Sequence, residues 1–259
     1  MTTVRRPRAV VTGAGRGLGA VIAERLHAIG YDVIATDIEG ADAILDVTDA
    51  AACRSLAREV EPDVWVNNAG VLGAGDAATQ PDEVVDRVVS VNLLGVMHGT
   101  RAAVAVMRER EGGRGRGHVV TIGSLASWVP VPGEAVYAAT KAGVLSFTLG
   151  LEGELRAQGV TGIHFSVVCP DGMLTPMLTD IIDDPAIALS FTGLRTQEPD
   201  AVADAVARTL RRPRRIVSVP RWRGAQVRAL GALPDLVLPV APLFARLGRA
   251  QQDRLRRSR

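Results

Sequence analysis

The sequence predicts an α/β protein in which helices cover both faces of a parallel sheet. Short apolar runs alternate with segments of helical periodicity about ten to twenty residues long, as in successive strand–helix–strand units. The runs are almost continuously apolar, as expected for strands buried on both faces. No composition break divides residues 8–220, so we expect one domain there, followed by an extension over 221–259.

Each helix and strand is predicted from its hydrophobic periodicity and from the turn-forming residues that bound it. The first helix, 18–29, is expected to stop at Gly30, because glycine suits a helix C-terminal cap. The stretch 170–198 is predicted to be irregular or partly helical. Strands are predicted at 8–12, 31–36, 43–46, 63–67, 118–122, 162–168 and 216–219. Further helices are predicted near 49–60, 81–90, 92–110, 135–157 and 199–211.

Cysteine content and hydropathy exclude several classes of protein. The only cysteines, Cys53 and Cys169, cannot form a disulfide framework, and no Cys/His cluster has zinc spacing, so no metal site is expected. We find no signal peptide, and no run of about 18 apolar residues that predicts a membrane-spanning helix. These observations favour a reducing, cytoplasmic location.

Charge is distributed unevenly along the chain. Residues 208–259 hold 14 Arg and two Asp, whereas residues 1–207 carry a net charge of −10. Of the 30 basic residues 29 are arginine, which leaves Lys141 as the single lysine. Arginine and lysine are not equivalent where a compact charge must fit a tight site, so Lys141 is a candidate functional residue.

A glycine-rich turn between the first strand and the first helix predicts a dinucleotide site. Glycines allow close backbone approach, and the following helix N-terminus offers free N–H groups to a pyrophosphate. The candidate residues are Gly13, Gly15, Arg16, Gly17, Leu18 and Gly19. Asp37 ends the second strand, where a carboxylate can bind a ribose diol and repel a 2′-phosphate. NAD is therefore expected over NADP, although Arg16 could pair with a phosphate.

Tyr137 and Lys141 are predicted to lie one turn apart on one helix face. A nearby ammonium favours the phenolate, so we expect Lys141 to lower the pKa of Tyr137 and make it a general acid/base for an alcohol or ketone. Ser124 follows the fifth strand, at the carboxyl edge of the sheet where ligands bind, and its hydroxyl could orient a substrate oxygen.

Four motifs together resemble the classical short-chain dehydrogenase/reductase family over residues 8–220. They are Thr12-Gly13-Ala14-Gly15-Arg16-Gly17-Leu18-Gly19, Asn67-Asn68-Ala69-Gly70, Ser124, and Tyr137-Ala138-Ala139-Thr140-Lys141. The resemblance implies a Rossmann-type sheet of about seven strands, with Tyr137 as acid/base and Lys141 as pKa modulator and ribose ligand. It also implies Ser124 as substrate orienter, Asn92 as holder of a proton-relay water, and cofactor contacts from Asp46, Val47, Asn68, Ala69 and Gly70.

Two segments depart from the family pattern. Asp171 stands between Pro170 and Gly172, where the family usually has Pro-Gly, although Thr175 remains a candidate for the nicotinamide amide. The Gly/Arg stretch 112–117 could suggest RNA contact, but we interpret it as an exposed turn and expect no nucleic-acid partner.

The lid and the extension bear on substrate and partners. In family terms a lid covers about 171–198, and its apolar residues favour a lipophilic substrate, unless they simply pack the lid onto the body. The extension 221–259 is apolar, broken by three prolines and flanked by arginines. It could dock on the acidic body, cover the pocket or a subunit interface, or lie on an anionic membrane surface.

The sequence therefore favours an NAD-dependent oxidoreductase that acts on a secondary alcohol or ketone. One alternative is an NADPH-dependent ketone or 3-oxoacyl reductase on the same scaffold, and Asp37 argues against it. Another is a nucleotide-sensing or interaction module without turnover, and the Ser124, Tyr137 and Lys141 set argues against that. The resemblance also implies a homodimer or homotetramer with contacts near 92–110 and 135–157.

Overall fold

The computed structural model describes residues 5–193 and 197–257. Seven parallel strands form one sheet in the order β3-β2-β1-β4-β5-β6-β7. The strands are Arg8–Thr12 (β1), Asp32–Asp37 (β2), Ala43–Ile44 (β3), Val64–Asn67 (β4), Gly117–Ile122 (β5), Ile163–Pro170 (β6) and Ile216–Val219 (β7). The order reverses between β1 and β4, which is where ligands bind in open α/β sheets. The predicted fold class is confirmed.

Helices lie on both faces of this sheet. The α-helices are Gly17–Ala28 (α1), Ala50–Val60 (α2), Asp82–Val89 (α3), Val96–Met107 (α4), Ala135–Ala157 (α5), Pro176–Thr179 (α6), Pro199–Arg211 (α7), Arg221–Gly231 (α8), Pro234–Val237 (α9) and Ala241–Arg257 (α10). The other helical segments are Ser90–Gly95 (π) and Glu111–Gly113, Leu125–Ser127, Pro185–Phe191 and Leu238–Val240 (3₁₀).

Two apolar cores form because successive side chains of each strand point to opposite faces. In β1, Ala9 and Val11 join the core under α1 and α7, while Val10 joins the core under α2 and α4. Both cores are built mainly from aliphatic side chains, with Ile22 of α1 and Met107 of α4 fully buried. The result is a sheet whose carboxyl edge is left free to hold the site.

The helices predicted at 81–90 and 92–110 are in fact one continuous run. α3 passes through the π-helical segment Ser90–Gly95 into α4 without a break, so the predicted interruption and the end at residue 110 are wrong. The wider π turn keeps the hydrogen-bonded run intact while it shifts the register of Asn92. By length and composition alone this run could cross a membrane, but half of its apolar window is buried inside the protein, as in core helices.

Several boundaries differ from the predicted ones by one or two residues. β6 extends to Pro170 rather than ending at 168, because β7 continues to pair with it. β3 is only two residues long, since the chain turns at Asp46, whose side chain accepts a hydrogen bond from the Thr48 amide. Gly30 has a φ of +99°, as expected for the cap that ends α1.

Candidate active site

The glycine-rich turn after β1 forms a close-packed cradle. Gly13 has a φ of +66°, and a Cβ placed there would lie 2.5 Å from Cα of Ala69. The side-chain amide of Asn68 donates to the main-chain oxygens of Thr12 and Gly13, at 2.9 Å each. A side chain at Gly13 could not fit, so the turn packs closely against the segment after β4 and leads directly into the start of α1, the arrangement that binds a pyrophosphate in dinucleotide sites.

Asp37 lies beside this turn at the end of β2. Its Oδ2 accepts from the Gly15 amide at 2.9 Å and its Oδ1 from the Ile38 amide at 2.7 Å. The carboxylate is thus held in a fixed orientation at the position expected for a ribose contact. The cradle and this carboxylate together fit the adenosine part of a dinucleotide.

Arg16 forms an ion pair with Asp180, just after α6, with 3.2 Å between Nη1 and Oδ2. Both side chains are largely exposed, so the pair contributes little stability. The lid also approaches the turn at Gly17, where a Cβ would lie 3.3 Å from Cδ of Pro176. The lid segment that begins at Thr175 therefore lies over the nucleotide end of the site.

The other proposed cofactor contacts surround the same edge. Asp46 is exposed and bonds the amide and the hydroxyl of Thr48, whereas Val47 is buried and its oxygen lies 3.2 Å from Nδ1 of His98. Leu18 and Gly19 are buried in the first turn of α1. The Ala69 amide donates to Oγ1 of Thr12, which holds the segment after β4 against β1.

Asn92 is fully buried in the π-helical segment. Its Oδ1 accepts from the Val71 amide and its Nδ2 donates to the Val71 oxygen, both at 2.8 Å. The side chain is therefore committed to holding the loop after Gly70. Asn92 Nδ2 also lies 3.5 Å from Oγ1 of Thr140, which links this loop to α5.

Ser124, Tyr137 and Lys141 meet beyond the carboxyl end of β5. Ser124 and Tyr137 share a side-chain hydrogen bond, and Lys141 Nζ lies 5.6 Å from the centre of the Tyr137 ring. Lys141 is 4% exposed, and its Nζ donates to the Ile122 oxygen at 3.0 Å. The last residue of β5 thus anchors the cation, and α5 places the phenol one turn before it.

The electrostatics of this group differ from the sequence expectation. Burial raises the pKa of Tyr137, the nearby Glu134 carboxylate raises it further, and the hydrogen bond from Ser124 partly offsets the rise. Burial also lowers the pKa of Lys141 to about 8. The expected lowering of the Tyr137 pKa is therefore wrong for this structure, because the loss of water disfavours the phenolate more than the Ser124 hydrogen bond favours it.

Glu134 is a residue of the site that the sequence analysis missed. It precedes α5, is 3% exposed, and accepts a 2.6 Å hydrogen bond from the Ser190 hydroxyl of the lid. Burial raises its pKa to about 7, with the Ser190 bond acting in the opposite direction. Its spacing of three residues before Tyr137 was the available signal, since such residues share a helix face.

A largely buried ion pair holds the segment after β6 in place. Asp171 Oδ2 lies 3.2 Å from Nε of Arg223 in α8, and each side chain is 16% exposed. Burial raises the pKa of Asp171, and Arg223 acts in the opposite direction. Pro170 ends β6 and Gly172 packs against the Ser190 backbone. Asp171, the residue that departs from the family's Pro-Gly pattern, thus connects the loop after β6 to α8 of the extension.

The apolar lid residues pack largely on one another. Leu178, Ile182, Ile187 and Phe191 are buried in a cluster that Leu255 of α10 also contacts. Met177 is 37% exposed and faces Gly70, so it is free to contact a ligand. The clustered apolar residues of the lid therefore serve packing, and another apolar residue of the predicted lid, Leu194, lies outside the described residues.

Comparisons with known proteins agree with this geometry. A family model described as short chain dehydrogenase matches residues 7–186. The chain is 35% identical over 220 residues to the 3-oxoacyl-[acyl-carrier-protein] reductase FabG of Escherichia coli, covering 77% of this chain and 87% of that protein. It is 31% identical over 240 residues to "Probable oxidoreductase EphD" of Mycobacterium tuberculosis, covering 80% of this chain. The chain spans only 40% of that mycobacterial protein's length.

Solved structures share the fold. A short chain dehydrogenase/reductase of Burkholderia phymatum in complex with NAD superimposes with a TM-score of 0.77 at 23% identity, over 91% of this chain and 96% of that one. A short chain dehydrogenase of Burkholderia cenocepacia in complex with NADP gives 0.75 at 23% identity, over 92% and 98%. These neighbours carry either nicotinamide cofactor.

Proposed function

The chain belongs to the short-chain dehydrogenase family and is an oxidoreductase, and from this premise we propose that it uses NAD to interconvert a secondary alcohol and a ketone. The observation that carries the proposal is the meeting of Ser124, Tyr137 and Lys141 beside the nucleotide cradle. When bound, a nicotinamide cofactor supplies the hydride donor or acceptor that no side chain provides.

Asp37 supports NAD as the cofactor. Its carboxylate is fixed by the Gly15 and Ile38 amides, so it cannot easily turn away from a ligand in the cradle. A 2′-phosphate placed there would face a fixed negative charge, whereas a ribose diol would find a hydrogen-bond acceptor. Arg16, the nearby cation, is paired with Asp180 and so is less available to offset that charge.

Tyr137 is proposed to exchange a proton with the substrate oxygen at its Oη. Burial keeps the phenol protonated, so in reduction it can donate its proton to the developing alkoxide, and in oxidation the phenolate takes that proton back. Ser124 shares a hydrogen bond with the phenol and can hold the same substrate oxygen. Lys141 Nζ lies 5.6 Å from the centre of the Tyr137 ring, and its ammonium is proposed to stabilise the phenolate once the proton has left.

Asn92 and the residues after β4 are proposed to shape the site. Asn92 fixes the Val71 backbone through two hydrogen bonds and so positions Asn68, Ala69 and Gly70 along the cofactor. Asp46 and Val47 are proposed contacts for the adenine, and Pro170, Gly172 and Thr175 for the nicotinamide end. Their common support is that all lie at or just after the carboxyl ends of parallel strands.

A lipophilic substrate, a homodimeric or homotetrameric state and a cytoplasmic location complete the proposal. Met177 supports the first, since it leaves an apolar side chain exposed beside Gly70. Family likeness supports the second, with contacts through α4 and α5. The composition of the chain supports the third.

The proposal is tested by a panel of short-chain, steroid-like and terpenoid alcohols and ketones, each assayed with both cofactors at the nicotinamide absorbance. We expect turnover of lipophilic secondary alcohols or ketones, with tighter binding of NAD than NADP in fluorescence titrations. Tighter NADPH binding together with reduction of 3-oxoacyl compounds would favour the second candidate, which the likeness to FabG supports. Tight NAD binding without any turnover would favour a nucleotide-sensing module.

A further inference from the structure

Large apolar side chains are exposed mainly in the extension. Of the twelve exposed large apolar residues that the structure describes, eight lie between residues 222 and 247. They are Trp222, Leu233, Leu236, Leu238, Val240, Leu243, Phe244 and Leu247. We call this set the apolar tail surface. Single exposed apolar residues are ordinary, but a concentration of this kind marks an interaction surface.

The inner side of α10 is fixed to the protein, so the outward side of this helix is a defined face. Gly248 packs against the Ala188 backbone, and Gln252 donates to the Ile182 and Asp184 oxygens of the lid. Arg256 pairs with Asp183 at 2.6 Å. The buried residues of α10 follow one helical stripe, which turns Leu243 and Leu247 outward, one turn apart.

Arginines lie on the helices that carry this surface, next to its apolar residues in the sequence. Residues 221–259 hold nine Arg and two Asp, and Arg246, Arg249 and Arg254 are exposed on α10. A cavity of about 830 Å³ between α8, β7 and the end of α7 has six arginines in its lining and no acidic residue. They are Arg208, Arg211, Arg212, Arg214, Arg221 and Arg228. Arginine beside exposed leucine suits a surface that presents both phosphate and hydrocarbon.

We propose that the apolar tail surface and the arginines on its helices dock the protein on an anionic lipid bilayer. Leucine and phenylalanine side chains enter the headgroup boundary, and guanidinium groups contact lipid phosphates. A second copy of the chain fits less well, because an interface between two such surfaces would bring two strongly positive segments together. The proposed attachment is peripheral, because Gly248 and Gln252 keep α10 docked on the lid of the folded protein.

α10 carries exposed apolar residues on its outer side and contacts the lid with its inner side. α10 contacts residues 182–188, and the same lid segment reaches the active site through Ser190 and Glu134. A bilayer on the tail would therefore lie beside the lid rather than across the sheet from it. The binding itself does not depend on the proposed reaction, and its test measures no activity.

The test is flotation of the full chain with vesicles of phosphatidylcholine alone or mixed with phosphatidylglycerol. An apolar variant combines Leu236→Ser, Leu243→Ser and Leu247→Ser, and a charge variant combines Arg246→Gln, Arg249→Gln and Arg254→Gln. Ile44→Ser is the control for loss of an exposed apolar side chain outside the extension, and the single variant Leu236→Ser is its match, because Ile44 is 73% and Leu236 67% exposed. Circular dichroism and gel filtration of each variant report folding and oligomeric state.

We expect binding to the anionic vesicles that weakens with salt and falls about tenfold or more in each combined variant. Ile44→Ser should bind as the wild type does. Absence of binding, equal binding to both vesicle types, or unchanged binding by the apolar variant would overturn the proposal. An oligomer that dissociates in the apolar variant, without vesicle binding by the wild type, would instead assign the surface to self-association.

Discussion

Glu134, Tyr137 and Lys141 illustrate what single residues reveal in a sequence and what they conceal. The identity of Tyr137 and Lys141 was predictable, because a lone lysine one turn after a tyrosine is unusual in a chain with 29 arginines. Their protonation was not predictable, since it depends on burial and on Glu134, which only the folded chain brings close. Asp37 was predictable from position alone, but its two amide donors were not.

Glu134 should make the stability of the protein depend on pH. Its pKa rises from 4.5 to about 7 on folding, so the folded chain binds more protons than the unfolded chain between these values. Stability contributed by the protonated carboxyl is complete below 4.5 and is lost as pH rises through 7. Glu134→Gln stays neutral, so above pH 7 it should be more stable than the wild type, by at most about 3 kcal/mol.

Urea unfolding at about pH 5 and about pH 8 measures this difference. Glu154→Gln, an exposed position on the same helix, is the control and should follow the wild type at both pH values. Equal pH dependence in Glu134→Gln and the wild type would show that the carboxyl titrates as it does in the unfolded chain.

Helices and strands that are bounded by turn-forming residues have the predicted bounds, whereas those whose ends depend on packing do not. α5, α7 and β7 have the predicted bounds, because each carries a strong pattern between turn residues. The π-helical segment around Asn92 was not predictable, since nothing in its composition separates it from the adjoining α-helical turns. The end of β6 depended on β7, which lies 46 residues further along at Ile216.

The ion pair between Asp171 and Arg223 should hold the loop after β6 to α8. Arg223→Met leaves a mostly buried carboxylate without its partner, and we expect a loss of about 2–4 kcal/mol in the free energy of unfolding. Arg256→Met removes the more exposed pair with Asp183 and should cost less than about 1 kcal/mol. Denaturant unfolding measures both variants.

A double variant that combines Arg223→Met with Asp171→Asn should recover part of the loss, because no charge then remains buried. If Arg223→Met and Arg256→Met lower the free energy of unfolding equally, the Asp171–Arg223 pair does not carry the buried charge that we assign to it.

For the whole molecule, the sheet and its ligand edge followed from the alternation of elements, whereas the path of the extension did not. A parallel sheet requires helices on both faces, and its carboxyl edge places the strand-end motifs together. α10 docks on the lid through a close contact at Gly248 and through hydrogen bonds from the Gln252 side chain to main-chain oxygens. Neither contact can be predicted from a motif in the sequence. The charge asymmetry was visible in the sequence, but the apolar tail surface was not.

The central claim is that Tyr137 transfers the proton while other residues hold the cofactor, and Tyr137→Phe tests it most directly. Tyr31→Phe is the control, because the sequence has only these two tyrosines and Tyr31 lies just before β2. The measurement is NADH formation on the best alcohol of the panel, together with NAD affinity by fluorescence titration. We predict a rate at least about a hundredfold lower for Tyr137→Phe, with NAD affinity close to that of the wild type. A rate near that of the wild type would contradict the account.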